Sequence, residues 1–578
     1  MENSPRTVRD GNLSFESGMD GGRAPTTLDE TQVAYATNTT FRGGFPKPRP
    51  NIVQLDYGRS NSDITFWQSN RFQGAGGYTD EDGNGHLFMA IGGRLWRLPL
   101  DQYAPSLADI TTAAYPHNAA SEQAWFVQAD KYLVVQDGRS RPWIWDGVNL
   151  SEAAVNQIPI GTRMAYGIGR LWVAQGRNYY GGDLINSDPS RGVESILHFT
   201  ENEYLNEGGA FAVPWQTGEI TGFAFASKQD TVSGEGSLMV FTNKGVFEFD
   251  APVDRTTWAA LRQPLQRFSL LNFGATSHES IVPVNGDLFY RSQDGIRSFY
   301  FARRDFGGWG NTPISREVEA HIKNDASRLL KFASAANFDN RMLMTIEPQY
   351  SERGCYFNRM AVLDFDLISG MRGKIPPAWD GIWEPDFQIL RVLTIECKKG
   401  PRCIIIGSNA DDGLGVYELL KDGEGSETFS WGTDSKSFQF GFPLDLKRLK
   451  TFESWWDGLT VGGNIDVWWK RNGVGCWAPW GRYVATAGEC VTALECTPPI
   501  LGGPVAKSRV GLPIAPDLED STNCVPRREG YDFQIRIRTT AKATLKRLRI
   551  SADVIDQPDT PEYDNACVEL DADCHTCQ

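Results

Sequence analysis

Between about Gly85 and Leu420 one short pattern recurs: apolar residues alternate into a tight Gly or Asp-Gly turn, alternate again, and end in an aromatic-rich run. Its clearest copies are Leu87 to Ile91 turning at Gly92-Gly93 into Leu95 to Leu98, and Leu288 to Tyr290 turning at Asp294-Gly295 into Ile296 to Tyr300. Tyr132 to Gln136 with Trp143 to Trp145, and Leu238 to Thr242 with Val246 to Phe249, follow the same grammar. Looser copies lie at Gly169 to Ala174, at Met342 to Ile346 with Met360 to Phe365, and at Ile404 to Gly407 with Val416 to Leu420, about seven units in all. Period-two alternation marks strands, and a short turn between two such runs marks a hairpin. A hairpin that cannot bury its own face must stack on a neighbour, and radial stacking leaves only short, protected edges. The expected class is therefore all-β, with residues 51–425 forming a β-propeller. Its units are irregularly spaced, roughly forty to seventy residues apart where a blade takes about 40 to 50, which implies insertions. A pair of β-sandwiches is the competing arrangement.

On either side the pattern changes. Residues 1–50 are polar and rich in Gly, Pro, Asp and Thr. Pro46, Pro48 and Pro50 stiffen an extended strand, and Gly43-Gly44 permits close backbone approach. This N-terminal arm is expected to be extended, either lying across a neighbouring subunit or forming a loose leader. Residues 426–556 carry Phe438 to Phe440, Leu444 to Leu449, Ile465 to Trp469, Cys476 to Trp480, Phe533 to Arg538 and Leu545 to Ile550. The strict alternation of the Phe533 run marks a strand buried on one face, so a separate β-sandwich-like domain is expected. Residues 557–578 form an acidic, Cys-containing tail. One helix is expected after Pro313, capped by Ser315, with Val318 and Ile322 on one face and a continuation through Leu329 and Leu330. It would connect two blades or dock a partner.

The net charge of −15 argues against a protein that grips nucleic acid through phosphates, yet it suits a channel wall to which DNA does not stick. No apolar run approaches the ~20 residues of a membrane helix. Met1 to Arg6 lacks an apolar signal core, so no secretion leader is expected. All ten cysteines follow residue 354. Cys397 and Cys403 flank a turn, Cys490 and Cys496 share a loop, and Cys574 and Cys577 are a close pair in the final residues of the sequence. Free thiols are expected without secretion, and crosslinks if the protein works outside the cell.

A search for chemistry assigns no catalytic, cofactor-binding or metal residue. His86, His117, His198, His278, His321 and His575 are scattered without metal-ligand spacing. Cys574-His575-Thr576-Cys577, with Cys567 nearby, reads as a disulfide or free thiols before a metal clip. Asp80 to Gly85 matches the first half of a calcium loop, but position twelve is Ile91 where a bidentate Glu is needed, so a turn is expected there. No nucleophile elbow and no phosphate loop occur. Ser292 to Gly295 comes near the turn motif of sialidase propellers. A glycosidase needs two carboxylates close only in space, which a sequence does not exclude. Trp143-Ile144-Trp145, Trp455-Trp456 and Trp468-Trp469 could stack on sugars, but alternation turns one of each adjacent pair inward. Gln534 to Arg549 carries six Arg or Lys and no acid, whereas Gln557 to Gln578 carries six acids and no base. Such complementary patches suit head-to-tail contacts between subunits, and equally a solvated sheet face with a loose tail.

Ser17 to Arg23, Asn38 to Phe45 leading to Arg49-Pro50, the hairpins at Leu238 to Phe249 and Val282 to Arg297, and Phe442 to Leu449 with Cys476 to Trp480 together resemble tailed-bacteriophage virion proteins of the tail-nozzle (tail tubular protein B) family. The resemblance implies a non-enzymatic tail component, made in the host cytoplasm and carried in the virion. It implies a homo-oligomeric ring, six-fold, contacting adaptor, portal and other tail proteins, with genomic DNA passing non-specifically through its centre. The alternative is a glycan-binding or glycan-cleaving propeller of a receptor-binding tail protein.

Overall fold

The computed structural model describes residues 6–555 apart from 112–115, 156, 203–210, 226–235, 262–265, 272, 300–312, 352–353, 367–377, 410–412, 474–476, 487–508 and 513–527. The acidic tail and seven of the ten cysteines lie outside the described residues. The chain is all-β, and its centre is a propeller with seven radially arranged blades among the described residues, the sixth and seventh joined in one sheet.

Blades 1 to 4 are four-stranded antiparallel meanders. Their first, innermost strands are Phe72–Thr79, Trp125–Ala129, Met164–Gly167 and Ile220–Phe225. Blade 5 begins at Val282–Val284, blade 6 at Ala335–Phe338 and blade 7 at Gln388–Ile395. Except between blades 4 and 5, innermost strands of successive blades pack side by side, and that of blade 7 packs against that of blade 1, which closes the ring. Between blades 4 and 5 the packing runs through Met239 and Phe241 against Leu288 and Tyr290. Each of the seven sequence units supplies middle strands of one blade: Gly85–Ile91 and Arg94–Pro99 in blade 1, for example, and Arg402–Asn409 and Gly413–Leu419 in blade 7.

Local chemistry explains the turns. Gly92 and Gly93 sit at φ 56° and 77°, the paired left-handed conformation of a two-residue hairpin loop. At the second unit Asp137 takes over, its Oδ1 accepting from the Arg139 and Ser140 amides. Blades approach through small residues: a Cβ on Gly76 of blade 1 would lie 2.3 Å from the Phe126 side chain of blade 2. Asp80 to Gly85 is the turn expected of it. Asp80 accepts from the amides of Asp82 and Asn84, the Asn84 side chain and His86.

The segment before Pro50 is built into its own chain. Arg6–Asn12 pairs antiparallel with Thr544–Val554 at the edge of the C-terminal domain. Val33–Thr37 pairs with Trp431–Phe438 on one side and, in parallel, with Ala378–Trp383 of blade 6 on the other. Immediately after the arm, Ile52–Gln54 pairs with Tyr417–Leu419 and becomes the outermost strand of blade 7, so a segment from the start of the chain closes a blade from the end of the propeller.

The C-terminal domain is a β-sandwich. One sheet orders Arg6–Asn12, Thr544–Val554, Lys447–Asp457 and Arg509–Leu512. The other orders Ala478–Val484, Asn464–Arg471, Phe533–Thr539 and Trp431–Phe438, then continues through Val33–Thr37 into blade 6. Phe452, Trp456, Ile465, Trp469, Phe533 and Ile535 fill the space between the sheets, and the same core runs on through Met19 and Phe41 of the arm to Met342 and Trp379 of blade 6.

The helix expected after Pro313 is broken into a 3-10 turn (Arg316–Val318), one α-turn (Glu319–Ile322) and a second 3-10 segment (Ser327–Phe332). Ser315 does not cap it; its Oγ accepts from the Ile296 amide of blade 5. The segment connects blades 5 and 6, burying Val318 and Ile322. A helix not foreseen, α1 (Asn61–Ser69), joins the closing strand to blade 1. Its start is a reciprocal capping box between Ser60 and Asp63.

Candidate functional site

Three clusters of polar side chains are assembled by this architecture. The first joins the arm to blade 6. Arg42 of the arm lies 2.7 Å from Asp339 and 3.1 Å from Asp364, and Arg341 lies 2.9 Å from Asp339, 3.1 Å from Asp364, 3.2 Å from Asp380 and 3.1 Å from Asp422. Asp380 also accepts from the Phe41 amide at 2.9 Å and the Thr40 hydroxyl at 2.8 Å. Asp364 and Asp380 are fully buried. Five carboxylates here, with Asp366 3.3 Å from Arg42, face Arg42, Arg341 and Lys47, so acid exceeds base by two charges. Burial, then the neighbouring Asp364 carboxylate, push Asp380 up to about 7 against the pull of Arg341. Arg341 is held above its ordinary value despite burial, because the acids around it outweigh the loss of water. The two shifts ask for different charge states of Asp380. The excess of acid resolves them: one proton stays near neutrality on Asp380, and Asp339, Asp364 and Asp422 keep Arg341 charged.

The second cluster lies on the propeller axis. Glu279, leading into blade 5, meets Arg391 of the blade 7 inner strand at 3.1 Å. Arg163, leading into blade 3, stands over the Trp125 ring, and its field and that of Arg391 both reach His278. Blades 3, 5 and 7 do not adjoin one another, so their residues meet only near the axis. Burial lowers His278, while Arg391, by its charge and its hydrogen bond, holds the Glu279 carboxyl below its ordinary value in spite of its burial. Side chains thus cross the propeller's own opening, and a nucleic-acid duplex does not fit through it.

The third cluster is a cleft of about 1240 Å³ between blade 6, blade 7, α1 and the sandwich. Asn38 fixes its floor, its Nδ2 donating to the Ser430 carbonyl and its Oδ1 accepting from Arg49 and the Glu384 amide. Arg49 is buried over the Phe429 ring at 4.1 Å, and burial lowers it to about 10. Three carboxylates line the cleft, Glu347, Glu384 and Asp386, and Arg359 bridges the two glutamates, 3.1 Å from Glu347 and 3.3 Å from Glu384. Burial opposes ionisation of Glu347, yet the hydrogen bonds from His321 and Arg359 outweigh it and hold the carboxyl below its ordinary value. A glycosidase acid needs the opposite shift, a carboxyl kept protonated until it gives up its proton. No Trp lines this cleft.

Other sequence candidates fall elsewhere. His117 stacks on Trp143 at 3.3 Å and bonds the Arg141 carbonyl, and His86 binds Asp80. No cluster of three or more His, Cys, Asp or Glu capable of holding a metal occurs among the described residues. Cys355, Cys397 and Cys403 are buried free thiols. Trp143, Trp145, Trp456 and Trp469 are core, while Trp455 is half-buried beside Arg509 and Arg549. Ser292 to Gly295 is a turn device: the Ser292 hydroxyl donates to Asp294, which Arg297 also binds. The basic run is largely answered within the chain: Arg536 and Arg538 pair with Asp434, Arg549 with Glu453 and Lys546 with Asp457. Sequence reading passed over the arm clasp because its members are far apart in the chain. The available signal was charge placed where strands read as apolar, Arg341 before Met342 and Asp380 between Trp379 and Gly381.

No family model matches the chain and no curated protein matches it. Among solved structures it is similar to BamB from Moraxella catarrhalis, at 11% identity over 66% of this chain and 96% of that one, TM-score 0.30. It is similar to YCF48 from Cyanidioschyzon merolae, at 9% identity over 62% and 97%, TM-score 0.30. It is also similar to an exo-β-1,3-galactanase from Phanerochaete chrysosporium, at 9% identity over 87% and 100%, TM-score 0.25. Likenesses this weak say nothing of function, and the propeller is read from the chain's own strand order.

Proposed function

We propose that the chain is a structural subunit of a phage tail, a nozzle-like component that assembles with copies of itself into a ring around exiting DNA. The observation that carries the reading is the stiffness of the join: the sandwich sheet continues blade 6 through Val33–Thr37, and the clasp pins the arm across the same junction. A ring under load needs a subunit whose two bodies keep one orientation, and a continuous sheet with a shared core supplies that. The propeller axis is crossed by the Glu279–Arg391 pair, so the conduit in this reading runs between copies. The excess of acid over base suits its wall, because duplex DNA is repelled by like charge. In this role no side chain is catalytic, and the bridged Glu347 and Glu384 serve structure.

Mass photometry of the purified full chain tests the reading. A discrete closed oligomer is expected, six-fold by the resemblance. A monomer at every concentration, alone and with the other tail proteins, contradicts it.

A further inference from the structure

We propose that the cleft between blades 6 and 7 binds a short stretch of neutral carbohydrate without cleaving it. Its volume, about 1240 Å³, lies above the roughly 300–1,000 Å³ typical of small-ligand pockets, so a chain of several sugar rings fits where a single metabolite would rattle. The bases of the wall are already committed, Arg359 to Glu347 and Glu384 and Arg538 to Asp434, while Asp386, an exposed lining carboxylate with no ion pair among the described residues, repels an anion and can accept from a hydroxyl. An ionic ligand such as a phosphate would have to break those pairs. What remains besides Asp386 is neutral polar chemistry. Asn358, Gln388 and Ser408 line the cleft, and their side chains make no hydrogen bond to other described residues. A carboxamide offers two donors and an acceptor in one plane, the pattern that meets two adjacent sugar hydroxyls.

An aromatic platform lies in the same wall. Phe387 is stacked on Tyr417 with ring centroids 3.7 Å apart and planes 10° from parallel. Gly407 lies so close that a Cβ there would stand 2.3 Å from the Phe387 ring, so the ring has no room to turn toward blade 7. A fixed ring packs the apolar C–H face of a pyranose without losing rotamer freedom on binding. Hydrolysis is not part of the proposal, because Arg359 is paired with both cleft glutamates and the Glu347 carboxyl is held below its ordinary value, the opposite of what a proton donor needs.

The inference is independent of ring formation: a ring that binds no sugar leaves the proposed function standing, and a sugar-binding monomer leaves this inference standing. Saturation-transfer NMR and calorimetry on the full chain with maltohexaose, cellohexaose, chitohexaose and mannohexaose test it. Binding of at least one at millimolar concentration is expected, with no products on prolonged incubation. Asn358→Ala and Gln388→Ala, at partly exposed positions, are expected to weaken it about tenfold each with the unfolding midpoint unchanged. Phe387→Ala should abolish it, and Phe387→Tyr should retain it. No binding of any of the four, binding unaltered by N358A and Q388A, or equal binding of inorganic phosphate overturns the proposal.

Discussion

Replacing Arg341 by Met removes the guanidinium that touches four carboxylates while keeping most of the side chain's length. Arg341 is 2% exposed, and Asp364 and Asp380 are fully buried, so water does not reach in to screen what is left. Breaking a buried ion pair by deleting one partner costs about 3–5 kcal/mol, most of it the penalty of an unpaired buried charge. Arg42 remains and answers Asp339 and Asp364, which places the expected loss at the lower end, about 3 kcal/mol. The readout is hydrogen exchange at the Phe41 amide, which donates to Asp380 and so reports opening of the arm from blade 6. About 3 kcal/mol corresponds to exchange faster by roughly a hundredfold, at about 1.4 kcal/mol per tenfold. If the penalty is unpaired charge, adding Asp364→Asn and Asp380→Asn to R341M should recover much of the protection, since apolar or neutral replacements of a whole buried cluster are often tolerated. Exchange accelerated less than about threefold in R341M, or no recovery in the triple variant, refutes the clasp as the element that holds the arm.

The raised Asp380 predicts a pH dependence of known sign. Its folded state binds the proton more tightly than the unfolded chain does, so its contribution is full below the ordinary carboxylate range and is lost as pH rises through about 7. Protection of Phe41 in the wild type should therefore fall between pH 5 and 8 relative to Asp380→Asn; parallel profiles would contradict this. Burial pushes the Cys355 thiol up to about 12 and that of Cys397 to about 11, and it raises Cys403 further. These three should resist maleimide at pH 8 in the native protein and react in urea, read by peptide mass spectrometry; rapid native labelling of Cys403 would be incompatible with its place in the core. With a net charge of −15, the chain should not shift duplex DNA in a low-salt gel, and a tight salt-sensitive complex would contradict an unsticky wall.

The propeller was legible in sequence because its signal is local. Each blade's middle strands are joined by a turn a few residues long, and Gly92-Gly93 or Asp137-Gly138 announces it. What closes the ring was not legible, since Ile52–Gln54 and Tyr417–Leu419 meet across almost the whole propeller and neither carries a pairing signal of its own. The arm misled for the same reason: Arg6–Asn12 looks polar because it is an edge strand with one face to water, and its partner Thr544–Val554 lies at the far end of the chain. Val318 and Ile322 do share a buried face, but Ser315 is drawn to Ile296 and the helix stops at Lys323. Helix α1 was missed although Ser60 and Asp63 form a capping box, because the apolar face behind it is short, with Trp67 its one buried residue. The site clusters were invisible for a simpler reason. Arg359, Glu347 and Glu384 come together only once blade 6 is folded, and no local pattern records a pairing between strands.

The most direct test of a ring-forming subunit is cryo-electron microscopy of the native particle or complex that carries this chain, classified in two dimensions by symmetry and position. The account predicts a closed ring on the tail axis, with the channel between copies and each propeller's own axis filled. A lone propeller, or a peripheral appendage off that axis, would contradict it.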